Sequence, residues 1–405
     1  MLVSMDGYEG YYDPGEDRSK IVYGQGSISS LPAEIADKRA VLVTSKAIQD
    51  KTDLIGRLTD LLGSQLVGVF TGSVLHTPRK AILEAAAFAR PLQPDVILSL
   101  GGGSDTDTCK ALRLVLWLEL NSEAEFDDAF AAYKRGWNDW GGSDLGRRLL
   151  PQIGMPTTLI SAEHTQGVGV TDETTHAKQV FSHPDLRSEV IILDPDLSMT
   201  TPPQLWYSTG VKALEHAIAK LSARDRDPVL EAIAAHSVAI LGQELPRSHK
   251  NHANPIPRGN LLIASWLCMF GSWNSLVKRM GLSHALGRQV GGVSGASHGL
   301  ISAVLLPLCM EFNAPACGDA IGMAAEALGI HTDGLSTEAS ALQAAAKVRD
   351  LIHELGLPQR LRDIGVREDD LSRIAEKTMG DMSVATNPRS IRDASQVLEL
   401  LQRAW

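Results

Sequence analysis

The run from 101 to 110, Gly-Gly-Gly-Ser-Asp-Thr-Asp-Thr-Cys-Lys, holds the residues best suited to binding an anion. Glycines carry no Cβ, so backbone N–H groups can approach a phosphate closely. A helix starting there adds unpaired N–H groups and the positive end of its dipole. Lys110 would add charge. The run is neither GxGxxG nor a Walker A loop. A tight strand-to-helix turn without a ligand uses the same glycines, so composition alone leaves both readings open. Other reactive types are sparse. The four cysteines, Cys109, Cys268, Cys309 and Cys317, form no CxxC pair and no disulfide framework for a chain this long. Cys109 reads as a helix-packing residue. His164, His176, His331 and His353 read as ordinary packed or surface residues.

The elements that must position this loop follow from the hydrophobic pattern. Residues 40–43, 66–70 and 95–100 are short apolar runs, with a helical stretch at 78–90 between the last two. Alternating strand and helix with apolar strands predicts a parallel α/β sheet. Further strands are expected at 157–161 and 189–193, and the acidic stretch 121–128 as a solvated loop. After about residue 203 the pattern turns helical, at 204–221, 228–241, 260–278, 297–311, 336–355 and 391–403. In 336–355, Leu342, Ala345, Val348, Ile352 and Leu355 fall at helical spacing. Gly356 and Pro358 stop that helix. The expected organisation is an α/β domain over 1–196 and an all-α domain over 197–405.

Composition sets the outer limits. The chain has 405 residues, 44% hydrophobic and 21% charged, as for a globular protein of two or three domains. Lys and Arg number 38 against 48 Asp and Glu, a net charge of −10. That excludes a broad nucleic-acid footprint. No signal peptide or membrane span is expected, and the location expected is cytoplasmic.

Several motifs carry a family resemblance. The loop from Gly101 to Ala111 resembles the GGGSxxDxxKA signature of the iron-containing (group III) alcohol dehydrogenases. Residues 22–27 resemble their FGxG element, and Pro156-Thr-Thr158 with Glu163 and Thr165 their PTTxxxSExT segment. Residues 192–197 resemble ILDPxL. Residues 210–216 sit where the family has GxDAxxH. His284-Ala-Leu and Ser297-His298-Gly299, with Pro307 beyond, resemble HAxxH and PHGxxxxxxLP. The resemblance implies the dehydroquinate synthase-like fold, with a dinucleotide-binding α/β domain and a helical domain. It places Gly102, Gly103 and Ser104 on the pyrophosphate of NAD or NADP, with Asp107 beside them. Thr157, Thr158 and Leu159 would line the nicotinamide side, and Lys178 would lie near the ribose and phosphates. Residues 43–46 lack the carboxylate that selects NAD in many members, so a 2′-phosphate is not repelled.

The family's divalent ion is held by one Asp and three His, two of them at i and i+4 on one helix. The histidines are present as His216, His284 and His298. Lys212 stands at the Asp position, and Arg288 replaces the second His of HAxxH. Glu215 lies about 100° round the helix from His216 and is not expected to substitute. Each of two cations ~5 Å from a dication repels it by several kcal/mol at an effective dielectric of about 20. A metal-free site is therefore expected. If Fe or Zn does bind, His216, His284 and His298 are its ligands. The maleylacetate reductases of this superfamily also lack the Asp, and residues 355–366 and 387–389 resemble theirs.

The expected activity is hydride transfer between a nicotinamide and a small carbonyl or alcohol compound, one that carries a carboxylate if the cations bind it. Lys212 and Arg288 would stabilise the alkoxide or that carboxylate, and His216, His284 or His298 would relay the proton. A lyase, dehydratase or isomerase on the same scaffold is the first alternative, and a non-catalytic nucleotide-binding homologue the second. The resemblance also implies a homodimer or larger assembly.

Overall fold

The structure is a computed structural model that describes residues 10–12, 19–135, 149–175, 178–223, 227–271 and 280–405. His176 lies outside them. The chain divides into two compact units, one running to Thr200 and one from Thr201 to Trp405.

Among its described residues the first unit has nine strands: β1 (Gly10–Tyr12), β2 (Lys20–Tyr23), β3 (Ala40–Ser45), β4 (Leu66–Ser73), β5 (Val96–Gly101), β6 (Gln152–Pro156), β7 (Gly167–Thr171), β8 (Lys178–Ser182) and β9 (Val190–Leu193). Seven form one sheet in the order β1-β2-β9-β6-β5-β3-β4, and β7 and β8 form an antiparallel ribbon. Only β1 runs antiparallel in the large sheet. Side chains alternate between the two faces of a strand. Val41, Val43 and Ile97 pack with Ile82, Ala86 and Leu112 of the helices Arg79–Ala89 and Gly103–Leu118. Leu42, Leu98 and Leu100 pack with Leu31, Leu54 and Leu58 on the other face. With both faces covered, the central strands carry unbroken apolar runs.

Two local expectations change. The strand expected at 157–161 lies earlier, at β6. Proline ends it, and Ser161 takes a left-handed φ of 66° that no strand continues through. The stretch 121–128 is not a solvated loop, because a helix, Glu123–Arg135, begins inside it. Phe126, Ala129, Phe130 and Tyr133 make its apolar stripe, and Phe126 is fully buried. The acidic residues around Phe126 hid that period.

The second unit is helical throughout its described residues. Its main helices are Pro203–Ser222, Pro228–Lys250, Pro255–Met269, Gly281–Ser294, His298–Asn313, Thr337–Glu354 and Ala394–Ala404. Starts are written locally: Asp227 caps Val229 and Leu230, Asn254 caps Ile256, and proline follows each cap. The expected end of the 260–278 helix falls beyond the described residues. Ala345, Val348, Ile352 and Leu355 are buried as the spacing predicts, while Leu342 is exposed and Ala341 and Ala344 join the buried stripe. The segment His298–Ala316 is long and apolar enough to cross a membrane, but 61% of it is buried as a core helix. It crosses Pro203–Ser222 at Gly299, where a Cβ would sit 2.6 Å from the Ser208 carbonyl group. Glycine there sets the close approach on which the helical cluster described below depends.

Candidate active site

In the first unit, β5 and β6 are neighbours in register, with Gly101 opposite Pro156. Their carboxyl ends therefore deliver the glycine loop and residues 157–159 side by side. The sheet reverses its growth between β3 and β5, the kind of place where open α/β sheets bind ligands. Gly101 has φ +141°, and a Cβ on it would meet Asp105 Oδ2 at 2.1 Å. That carboxylate accepts the Gly102 N–H at 2.8 Å, and the Thr157 N–H donates to the Gly101 carbonyl at 2.8 Å. A Cβ on Gly103 would meet Ile160 Cγ2 at 2.9 Å. The loop is thus clamped from both sides, and the helix begins at Gly103 with the N–H groups of Gly103 and Ser104 lacking intrahelical acceptors. Burial pushes the Asp105 carboxyl up to about 6.

Thr157, Thr158 and Leu159 are buried beside this loop. Thr158 Oγ1 is a buried polar atom without a hydrogen-bond partner, next to the Gly102 backbone. A bound nucleotide can satisfy such a group, so these residues fit the cofactor that the resemblance implies. Lys178 is exposed on β8 and lies across Gly169. Burial raises the Asp107 carboxyl, while Lys110 and Lys178 pull it down. Lys110 is not a phosphate ligand here. It is fully buried and donates to the carbonyls of Ala162, Thr165 and Gly167 at 2.6, 2.8 and 3.1 Å. Burial lowers its ammonium to about 8. Lys110 anchors the segment that follows Leu159. Cys109 donates to the Leu98 carbonyl within the core. His164 is buried 3.5 Å from Glu163, and its imidazole is pushed down to about 3 by burial. His331 and His353 are exposed.

In the second unit, helix Pro203–Ser222 carries Lys212, Glu215 and His216; Gly281–Ser294 carries Ser283, His284 and Arg288; and His298–Asn313 opens with His298. The His216 and His284 rings stack at 5.1 Å between centroids. His284 Nδ1 lies 2.9 Å from the Met280 carbonyl and 3.2 Å from Glu215 Oε1. Both neighbours are acceptors, so Nδ1 carries the proton and Nε2 is left as an acceptor. His284 Nε2 and His216 Nδ1 are buried without partners. Burial pushes both imidazoles down, His284 to about 3 and His216 well below its ordinary value, so both are neutral at pH 7. His298 is half-buried, with its ring edge beside Gly291.

Two findings concern charge. Glu215, not expected to substitute for the missing ligand, has its carboxylate buried among Lys212, Ser283, His284 and Ser302. Counting from His216 hid the relevant spacing: Glu215 is three residues after Lys212, which places them on one face. Lys212 Nζ donates to Glu215 Oε2 at 2.7 Å. Burial alone would raise the Glu215 carboxyl, but the charges around it, Lys212 among them, hold it well below the ordinary range. Arg288, in turn, is half-exposed and makes a two-pronged pair with Asp381, 2.7 Å at Nε, and reaches Ser383. Each added cation thus has its own carboxylate. Among the described residues no three His, Cys, Asp or Glu side chains are grouped to hold a metal ion. With an ammonium at the position of the ligand carboxylate, this donor set does not fit the family's divalent ion.

Comparison with known proteins covers nearly the whole chain. Residues 18–195 match the family model "Iron-containing alcohol dehydrogenase", and residues 207–405 match "Fe-containing alcohol dehydrogenase family, C-terminal". "Probable alcohol dehydrogenase EutG" of Salmonella typhimurium is 32% identical over 324 residues, 80% of this chain and 76% of that protein. Maleylacetate reductase of Burkholderia cepacia is 28% identical over 384 residues, 94% of each chain. The crystal structure of maleylacetate reductase from Agrobacterium tumefaciens has a TM-score of 0.74 at 26% identity, covering 98% of each chain.

Proposed function

The chain belongs to the iron-containing alcohol dehydrogenase family and is an oxidoreductase of the alcohol dehydrogenase and reductase type; from that premise we propose that it reduces small carbonyl compounds without a divalent metal, using Lys212 as its cation. The observation that supports this most is the buried Lys212 ammonium, placed where the family's metal-binding carboxylate would be and paired with Glu215. Gly102, Gly103 and Ser104 hold the pyrophosphate, Asp107 and Lys178 flank it, and Thr157, Thr158 and Leu159 face the nicotinamide. When bound, the nicotinamide supplies the hydride for reduction or accepts it in reverse. NADPH is admitted as well as NADH, because β3 ends in Thr44 and Ser45 with Lys46 after it, and no carboxylate stands there to exclude a 2′-phosphate.

Lys212 gives one of its three N–H groups to Glu215 and keeps the others for the substrate oxygen. As negative charge grows on that oxygen, the ammonium stabilises it and then transfers a proton, which it regains from solvent. His216 and His284, held neutral by burial, orient the substrate as hydrogen-bond acceptors. His298 passes that proton in from solvent to Lys212. A substrate carboxylate is the natural second partner for this cationic site, with Lys212 as its main contact because Arg288 is engaged by Asp381. A homodimer or larger assembly belongs to the same proposal.

The test is elemental analysis of protein purified without chelator, together with NADH and NADPH oxidation against a panel of carbonyl compounds. The expected result is substoichiometric metal, turnover that survives chelation, and the fastest turnover on carbonyls that carry a carboxylate. One iron or zinc per chain, with activity lost on chelation and restored by metal, would sink the metal-free reading.

A further inference from the structure

Glu215 is the most enclosed carboxylate of the helical cluster, 1% exposed. Groups from three helices converge on it. Lys212 of its own helix donates to Oε2 at 2.7 Å, and Ser302 of His298–Asn313 donates to the same oxygen. Ser283 of Gly281–Ser294 donates to Oε1, and His284 Nδ1 lies 3.2 Å from it. A buried ion pair is weak evidence for stability, since well-packed apolar residues often do as well. This pair also makes poor sense as a packing device, because its ammonium has N–H groups left over while its carboxylate is fully engaged.

We propose that Glu215 is a positioning residue: it fixes the Lys212 ammonium in place and orients the His284 imidazole, so that Ser283 and Ser302 transmit the packing of two further helices to Lys212. This rests on the reading of Lys212 as the site's cation. Each Glu215 oxygen has its own task. Oε2 holds Nζ, and Oε1, with the Met280 carbonyl, keeps the His284 proton on Nδ1 and its Nε2 as an acceptor. Held this way, Lys212 does not have to be ordered during the reaction, which is how preorganised charge gains its effect.

The experiment compares wild type, Glu215→Gln, Glu215→Asp, Lys212→Met and the Lys212→Met/Glu215→Gln double variant. Glu215→Gln is expected to lower kcat at least thirtyfold with KM within threefold, and Glu215→Asp to recover part of the loss. In the Lys212→Met background Glu215→Gln should cost less than a further tenfold, because the part of its effect that runs through Lys212 is already lost and only the orienting of His284 remains. Losses that multiply in full would overturn the inference. A second readout needs no turnover: mass-spectrometric mapping of reductive methylation at Lys212. Freed of its partner in Glu215→Gln, Lys212 should be modified at least fivefold faster than in wild type; an unchanged rate would overturn the inference. Wild type that methylates as expected but turns over no carbonyl would instead count against the proposed function. Where Glu215→Gln fails to fold, Ser283→Ala and Ser302→Ala replace it, each expected to lower kcat threefold to tenfold without changing nucleotide affinity; no loss in either would overturn the inference.

Discussion

The glycine loop and the helical cluster solve opposite problems. In the loop, side chains such as Asp105 and Ile160 hold the backbone in shape, and in the proposed function that backbone does the binding. In the cluster, side chains from three helices meet, and the backbone matters mainly where Gly299 lets two helices come close. The loop follows the family pattern closely, whereas the cluster replaces a carboxylate with Lys212 and a histidine with Arg288. Backbone sites tolerate little change because φ and Cβ clearance are fixed. In the proposed function, a side-chain site exchanges a metal for an ammonium, with Glu215 as the counter-charge that comes with it.

The comparison breaks first at Lys212. Lys212→Met keeps the length and apolar stem but removes the charge. The expected loss in kcat is about 10²–10³-fold, the usual scale for deleting one group that stabilises an oxyanion. Nucleotide affinity, set in the other unit, should stay within twofold by fluorescence titration. A loss below tenfold would mean that the cation lies elsewhere.

Gly101→Ala probes the opposite region. The new Cβ would meet Asp105 Oδ2 at a φ of +141°, which suits glycine alone. Nucleotide affinity should fall at least tenfold, and the urea midpoint should fall with a stability loss of about 1–3 kcal/mol. Unchanged affinity would show that this loop is a plain turn.

What could be read in advance follows the same divide. The strands at 40–43 and 95–100 were legible because burial on both faces leaves unbroken apolar runs. The loop was legible because Gly101–Gly103 is contiguous in sequence. Residues 121–128 were misread because charge masked the period of Phe126, Ala129, Phe130 and Tyr133. Lys110 was misread because a lysine after a glycine loop suggests phosphate, while its actual partners, the carbonyls of 162–167, come from a distant segment. Glu215 shows both limits. Its i+3 relation to Lys212 was there to be counted, but Ser283 and Ser302 reach it only through helix packing that no local pattern encodes.

Asp105 sharpens the loop side of the comparison. Its carboxyl is held at about 6 against an ordinary 3.8, because burial penalises the charged form. A raised acid pKa stabilises the fold most below the unfolded value, and that contribution is lost as pH rises through about 6. In Asp105→Asn the amide oxygen still accepts the Gly102 N–H and does not titrate. The stability of wild type relative to the variant should therefore fall between pH 4 and 6, by on the order of 2–3 kcal/mol at most. Urea midpoints of both proteins at pH 4, 5, 6 and 7 measure it. A difference that is flat across that range would place Asp105 in contact with water.

Arg288 carries the smallest expected effect, and it decides how many cations the cluster has. From the sequence it stood beside Lys212 as a ligand for a substrate carboxylate. In the structure its guanidinium is paired with Asp381 and Ser383, the arginine partly exposed and the Asp381 side chain largely enclosed. Asp381 in turn, despite the opposing effect of its burial, is held below the ordinary carboxylate range chiefly by Arg288. A substrate that used Arg288 would have to displace an internal carboxylate already in two-pronged contact, which cancels most of the gain. Arg288→Met should therefore raise KM for a carboxylate-bearing carbonyl less than threefold, with kcat nearly unchanged. A thirtyfold rise confined to carboxylate-bearing substrates would show that Arg288 leaves Asp381 on binding, and that the cluster holds two working cations instead of one.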